Sequence, residues 1–196
     1  MIKLFTKYAI GLFLMTFAVS CAQQGTEQQQ SQETVTDTVE VTTDYTKAVA
    51  VVHPTEGNSA SGTVTFSQTN DGVRVEAEIE GLEQGKHGFH IHQYGDCTAS
   101  DGTSAGGHYN PEGNDHAGPD AESRHVGDMG NIEANEKGVA TKNYVDSTIE
   151  LNGSNSIIGR GIVIHGGEDD LESQPTGAAG PRMGCGVIGI ANTSAE

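Results

Sequence analysis

Seven of the chain's eight histidines fall between His87 and His165. His90-Ile91-His92 lies in a short apolar run that reads as a strand, where a period of two sends both imidazoles to one face. His108, His116 and His125 follow at intervals of eight and nine, with Asp128 three residues later, and His165 closes another apolar run. A lone histidine in a strand is ordinarily a core or surface residue. Six on strands and glycine-rich loops, with a carboxylate in step, form the donor set of a metal centre. Imidazole and carboxylate together suit zinc, copper or iron. The series contains no cysteine, which argues against a zinc finger or an iron–sulfur cluster. His53 and His87 stand outside it and read as ordinary structural histidines.

The elements that must hold these residues are short strands. Val73, Val75, Ala77 and Ile79 alternate with Arg74, Glu76, Glu78 and Glu80, the pattern of a half-buried strand. Further strands are expected at 48–52, 62–68, 87–92, 139–145, 157–164 and 186–190. Asn70-Asp71-Gly72 reads as a hairpin turn between two of them. Trp is absent, and only six aromatic residues lie beyond the first twenty positions, so the core comes mainly from Val, Ile and Ala. These features predict an all-β fold, an antiparallel Greek-key sandwich or barrel. Two stretches, about 93–131 and 166–183, break the strand pattern. Long loops of this kind in a compact domain are usually functional.

The N-terminal region has a different character. Lys3 and Lys7 precede a mostly apolar run from Tyr8 to Val19, too short to span a bilayer comfortably and shaped like a signal peptide. Its end, Ala18-Val19-Ser20-Cys21, resembles a bacterial lipoprotein signal in which Cys21 becomes the lipidated N-terminus. Ordinary secretory cleavage that leaves Cys21 unmodified is the other reading. Residues 21–46 are rich in Gln and acids and read as a disordered tether. The organisation expected is therefore a leader at 1–20, the tether at 21–46, one domain at 47–192 and a tail at 193–196. The formal charge is −17, from 10 basic and 27 acidic side chains. Such a surface excludes the electrostatic footprint of a nucleic-acid binder.

Several segments resemble the copper/zinc superoxide dismutase family, and in that family's order. They are Gly85-Lys86-His87-Gly88-Phe89-His90-Ile91-His92, Thr103-Ser104-Ala105-Gly106-Gly107-His108-Tyr109-Asn110-Pro111 and His116-Ala117-Gly118-Pro119. Arg124-His125-Val126-Gly127-Asp128, Ile157-Ile158-Gly159-Arg160, Val163-Ile164-His165 and Cys185-Gly186-Val187-Ile188-Gly189-Ile190 complete them. The resemblance implies dismutation of superoxide to dioxygen and hydrogen peroxide, with copper on His90, His92, His108 and His165. It places zinc on His108, His116, His125 and Asp128, so that His108 bridges the two metals and handles a proton. It further implies that Asp169 links His90 to His116, that Arg182 guides the anion to copper, and that Cys97 pairs with Cys185.

The sequence also departs from that family. No Lys lies between Gly166 and Pro181, where relatives carry basic residues, so Arg182 is expected to be the main guide. The spacing from Cys97 to His108 resembles the bacterial enzymes. Ile158-Gly159 and the stretch from Gly186 to Ile190 instead resemble the contact segments of the animal homodimer. Three classes of function follow. The leading one is a superoxide dismutase exported to the cell envelope, periplasmic or at the outer membrane, and lipid-anchored. The others are a non-catalytic copper/zinc storage or delivery module and a surface domain that uses only the zinc site.

Overall fold

The computed structural model describes residues 44–195, so the leader, most of the tether and Cys21 lie outside the described residues. Nine strands form among the described residues: β1 (Lys47–Pro54), β2 (Ser61–Thr69), β3 (Gly72–Glu80), β4 (Gly85–His92), β5 (Asp128–Ala134), β6 (Ala140–Asp146), β7 (Gly161–His165), β8 (Arg182–Val187) and the short β9 (Gly189–Ile190). Their order is β2-β3-β6-β5-β4-β7-β8-β1-β9, and β1 also pairs with β2, which closes eight antiparallel strands into a barrel. The hops from β3 to β6 and from β4 to β7 are the Greek-key connections. Closure also removes the exposed edges that an open sheet would have to protect.

Alternation sets which side chains fill the barrel. Val73, Val75 and Ile79 of β3 are buried against Val64 and Phe66 of β2, while Glu76, Glu78 and Glu80 face water. The turn between these strands is the expected one, with Thr69 opposite Gly72. On β4 the same alternation has a different outcome. Phe89 and Ile91 enter the core, and His90 and His92 point to the other face of the strand, yet both are fully buried. β7 repeats the arrangement, with Ile162 and Ile164 inside and His165 outside the barrel. A barrel wall buried on both faces needs a second layer, which the two long loops supply.

The strands differ from expectation at three places, the first of them a strand that was not expected. β5 has no counterpart among the expected strands; it begins inside the long stretch 93–131 and pairs with β4 from Gly85↔Ala134 to His90↔Asp128. Gly130 and Asn131 are poor strand formers, so tertiary pairing overrides local propensity there. The run at 157–164 becomes a strand only from Gly161, because Ile157 and Arg160 close a turn through a backbone hydrogen bond of 3.0 Å. The last strand starts earlier, at Arg182, and is interrupted at Ile188 before β9.

Candidate metal centre

Two sets of four donors converge on the outer face of β4 and β7. In each set the nearest ligand atoms all lie within 4.8 Å of one another. One set is His90, His92, His108 and His165, the other is His108, His116, His125 and Asp128, and all are buried. The structure thus brings every expected ligand together, and His108 belongs to both sets.

The hydrogen bonds decide which ring nitrogen faces each centre. His90 is held through Nε2 by Asp169 Oδ2 at 2.7 Å, which leaves its Nδ1 buried without a partner. His92 Nδ1 donates to the Gly106 carbonyl at 2.9 Å, and His165 Nδ1 donates to the Gly180 carbonyl at 3.1 Å. Their Nε2 atoms then face each other across 3.3 Å. With Nδ1 protonated in each ring these are two lone pairs, an arrangement that calls for a cation. His108 presents Nδ1 to Asp128 Oδ1 at 2.7 Å, while its Nε2 is buried and unpartnered.

The second centre is built around Asp128 Oδ1. The Nδ1 atoms of His108, His116 and His125 lie 2.7, 2.9 and 3.2 Å from it. The His116 contact has the distance but not the direction of a hydrogen bond, so that nitrogen too is unsatisfied. Asp128 Oδ2 is fixed by the backbone N–H groups of Ala117 and His125, at 3.1 and 3.0 Å. Three imidazole nitrogens and one carboxylate oxygen suit a closed tetrahedral zinc site. Four imidazoles suit copper. The orphaned nitrogens are what a metal in each set satisfies, so the residues fit both ions.

Electrostatics favours neutral ligands in the first set. Burial pushes His90 down to about 4 and His165 down to about 3, and holds His92 well below the usual range. In the second set burial opposes charge on His116, but its contacts with the Asp128 and Asp169 carboxylates outweigh it and raise the ring to about 9. Burial works the other way on Asp128, where the hydrogen bond with His108, the close His116 ring and the Ala117 N–H prevail and keep the carboxyl far below the ordinary range. A cation entering this set competes with a proton.

Asp169 occupies the position expected for a link between the two centres, 2.7 Å from His90 Nε2 and 2.9 Å from His116 Nε2. Arg182 opens β8 as the register partner of His165, and its guanidinium donates to the carbonyls of Gly102 and Gly106. Its charge helps to lower His92 and His165, which places it beside the first set. Asp101 also interacts with it. Cys97 and Cys185 are bonded, with an S–S distance of 2.03 Å across 88 positions, and tie the first loop to β8 behind Arg182.

A model of the family described as "Copper/zinc superoxide dismutase (SODC)" matches residues 60–188. The chain belongs to this family. Among curated relatives, an extracellular superoxide dismutase [Cu-Zn] from Drosophila melanogaster is 51% identical over 143 residues, covering 69% of this chain and 78% of that protein. Another of the same name from Brugia pahangi is 40% identical over 199 residues, covering 97% and 98%. Among solved structures, the clock protein EA4 superposes with a TM-score of 0.70 at 42% identity, covering 76% of this chain and 98% of that one.

Residues beyond the expected set also build this superoxide dismutase site. Asn131 exchanges two hydrogen bonds with the backbone of Asp169, at 2.8 and 2.9 Å. Gln174 does the same to His116, at 2.8 Å each way. Arg124 and Asp146 form a buried bidentate pair under the second set. These contacts join residues 22 to 58 positions apart, and no local pattern announces them. Lys142 donates to the carbonyls of Met129 and Asn131. Arg124 is buried against Asp146 and Lys142 is turned to β5, whereas Arg182 stands beside the first set.

Proposed function

We propose that His90, His92, His108 and His165 hold copper, that His108, His116, His125 and Asp128 hold zinc, and that the chain dismutes superoxide there. The observation that carries this reading is the shared His108, whose Nδ1 serves one set while its buried Nε2 faces the other. Copper supplies a one-electron couple, so that two superoxide anions and two protons become dioxygen and hydrogen peroxide. The protein does the rest. Arg182 attracts the anion to the mouth, against a molecule whose net charge repels it. Asp169 and the carbonyls of Gly106 and Gly180 fix ring tautomers, so that each imidazole offers a lone pair inward. His108 Nε2 is the buried nitrogen at which a proton can be held for the departing peroxide. A pure storage site has no use for a ligand common to two centres or for a cation at its mouth.

The test combines bound-metal analysis with superoxide consumption. One copper and one zinc per chain, with activity lost in His108→Ala, is the expected result. Stoichiometric metal without superoxide consumption would return the storage reading.

The chain is an exported protein in this reading, as its leader and its extracellular relatives suggest. Anchoring through Cys21 in a bacterial envelope is the more specific proposal, and intact mass of the mature protein tests it. A homodimer is supported by half-exposed apolar side chains on neighbouring elements: Val51 of β1, Val187 of β8, Ile190 of β9, and Tyr94. Sedimentation of the wild type against Val187→Glu measures whether a second copy covers that face.

A further inference from the structure

The loop between β7 and β8 does more than line the first centre. It reaches across to the second and grips His116 by both ring and backbone. Asp169 takes the ring at Nε2. From the same loop, Gln174 Oε1 accepts the His116 N–H at 2.8 Å and its Nε2 donates to the His116 carbonyl at 2.8 Å. The second Nε2 hydrogen goes to the Glu172 carbonyl at 3.1 Å. Neither backbone group of His116 has a partner in a strand or helix, since the residue lies in irregular chain. The amide orientation is the one that puts each donor on an acceptor. Only a carboxamide of this length satisfies both groups: Glu lacks the donor, and Asn is one methylene short.

We propose that Gln174 is a positioning residue for the zinc site, acting through the backbone of His116. It fixes where that ligand's Nδ1 points, and so how tightly the second set holds its ion. This rests on the zinc assignment above. Partners that orient metal ligands typically change affinity by about 10–100-fold when lost. Gln174 is solvent-exposed on a loop, so its replacement leaves the barrel core untouched.

The experiment uses the copper- and zinc-loaded protein and follows zinc release to a chromophoric chelator. Gln174→Ala is expected to release zinc about tenfold faster, and Gln174→Glu to behave like it. Glu172→Gln, whose exposed side chain takes no part in these hydrogen bonds, is expected to match wild type. Cobalt(II) in the zinc position gives a second readout, with its visible bands shifted in Gln174→Ala. A wild type that binds no zinc overturns the zinc assignment and this proposal together. Zinc bound by the wild type but released at one common rate by all four proteins, with unchanged cobalt bands, overturns the positioning role alone. The same holds if Gln174→Ala lowers the melting temperature of the metal-free protein while release and bands stay as in wild type.

Discussion

Replacing Arg124 with Met tests whether the second centre is held from beneath by a buried ion pair. Arg124 Nη2 lies 2.7 and 2.8 Å from the two carboxylate oxygens of Asp146, and both side chains are almost fully buried. Its Nη1 donates to the carbonyls of His125, Val126 and Asp128, at 3.0, 3.3 and 2.9 Å. One guanidinium thus pins the turn that carries two donors of the second set, His125 and Asp128, and ties it to the end of β6. Met keeps the length and apolar stem but strands the Asp146 charge and three carbonyls. Removing one partner of a buried pair costs about 3–5 kcal/mol. In a chain of this size that lowers the melting temperature by about 6–20 °C. Calorimetry of the metal-free, disulfide-intact protein reads the stability, and competition with a zinc chelator reads the site, where a loss of about tenfold or more in affinity is expected. A melting temperature within about 2 °C of wild type, less than 1 kcal/mol on the same scale, would refute the view that this pair organises the turn.

Arg182→Ala should slow the second-order reaction with superoxide at least tenfold at unchanged copper content. It should also flatten the salt dependence, since local fields between exposed charges decay over about 8 Å at physiological ionic strength; equal rates and slopes would dismiss it as the guide. Gly177→Ala should lose zinc affinity as seen by chelator competition. Gly177 has φ of +65°, and a Cβ there would fall 1.7 Å from Asp169 Oδ1 and 2.6 Å from His116 Nε2; zinc binding as tight as wild type would contradict this. The metal-free protein should be most stable near pH 6.5 when urea midpoints are compared. His90 and His165, buried neutral at about 4 and 3, lose their contribution as pH falls below 6.5, and His116, raised to about 9, loses its own as pH rises through that value. Midpoints level from pH 4.5 to 9 would show that these rings do not govern stability.

How far the fold could be read depended on how local each signal was. The alternation in β3 and the Asn70-Asp71-Gly72 turn involve neighbours, and the structure has both. The pair His90 and His92 was legible for the same reason, because a strand's period is a local property. β5 was not expected at all, because Asp128, Gly130 and Asn131 carry no strand signal of their own and the strand is ordered by pairing with β4. The ligands themselves were recognisable by type and spacing. Of their supports, Asp169 was expected through the family resemblance; the others were not, because a Gln, an Asn or an Arg–Asp pair acting over tens of positions looks in sequence like any polar surface residue.

The two donor sets are built in different ways. The first is mostly strand-borne: His90 and His92 come from β4 and His165 from β7, strands that pair directly from Phe89↔Ile164 to His92↔Gly161. Their spacing is set by a hydrogen-bonded ladder over a packed core. The second draws His108, His116 and His125 from the loop between β4 and β5, with only Asp128 on a strand. A loop must spend conformational entropy to hold three rings in place, and here the compensation is a layer of polar clamps: Arg124 from below, Asp169 and Gln174 from the opposite loop. His108 joins the two constructions, and its one bridge to β4, opposite His92, registers the loop against the ladder. The strands therefore give the first centre a rigid frame, and the second centre, with its clamps, holds over that frame the loops that bury it.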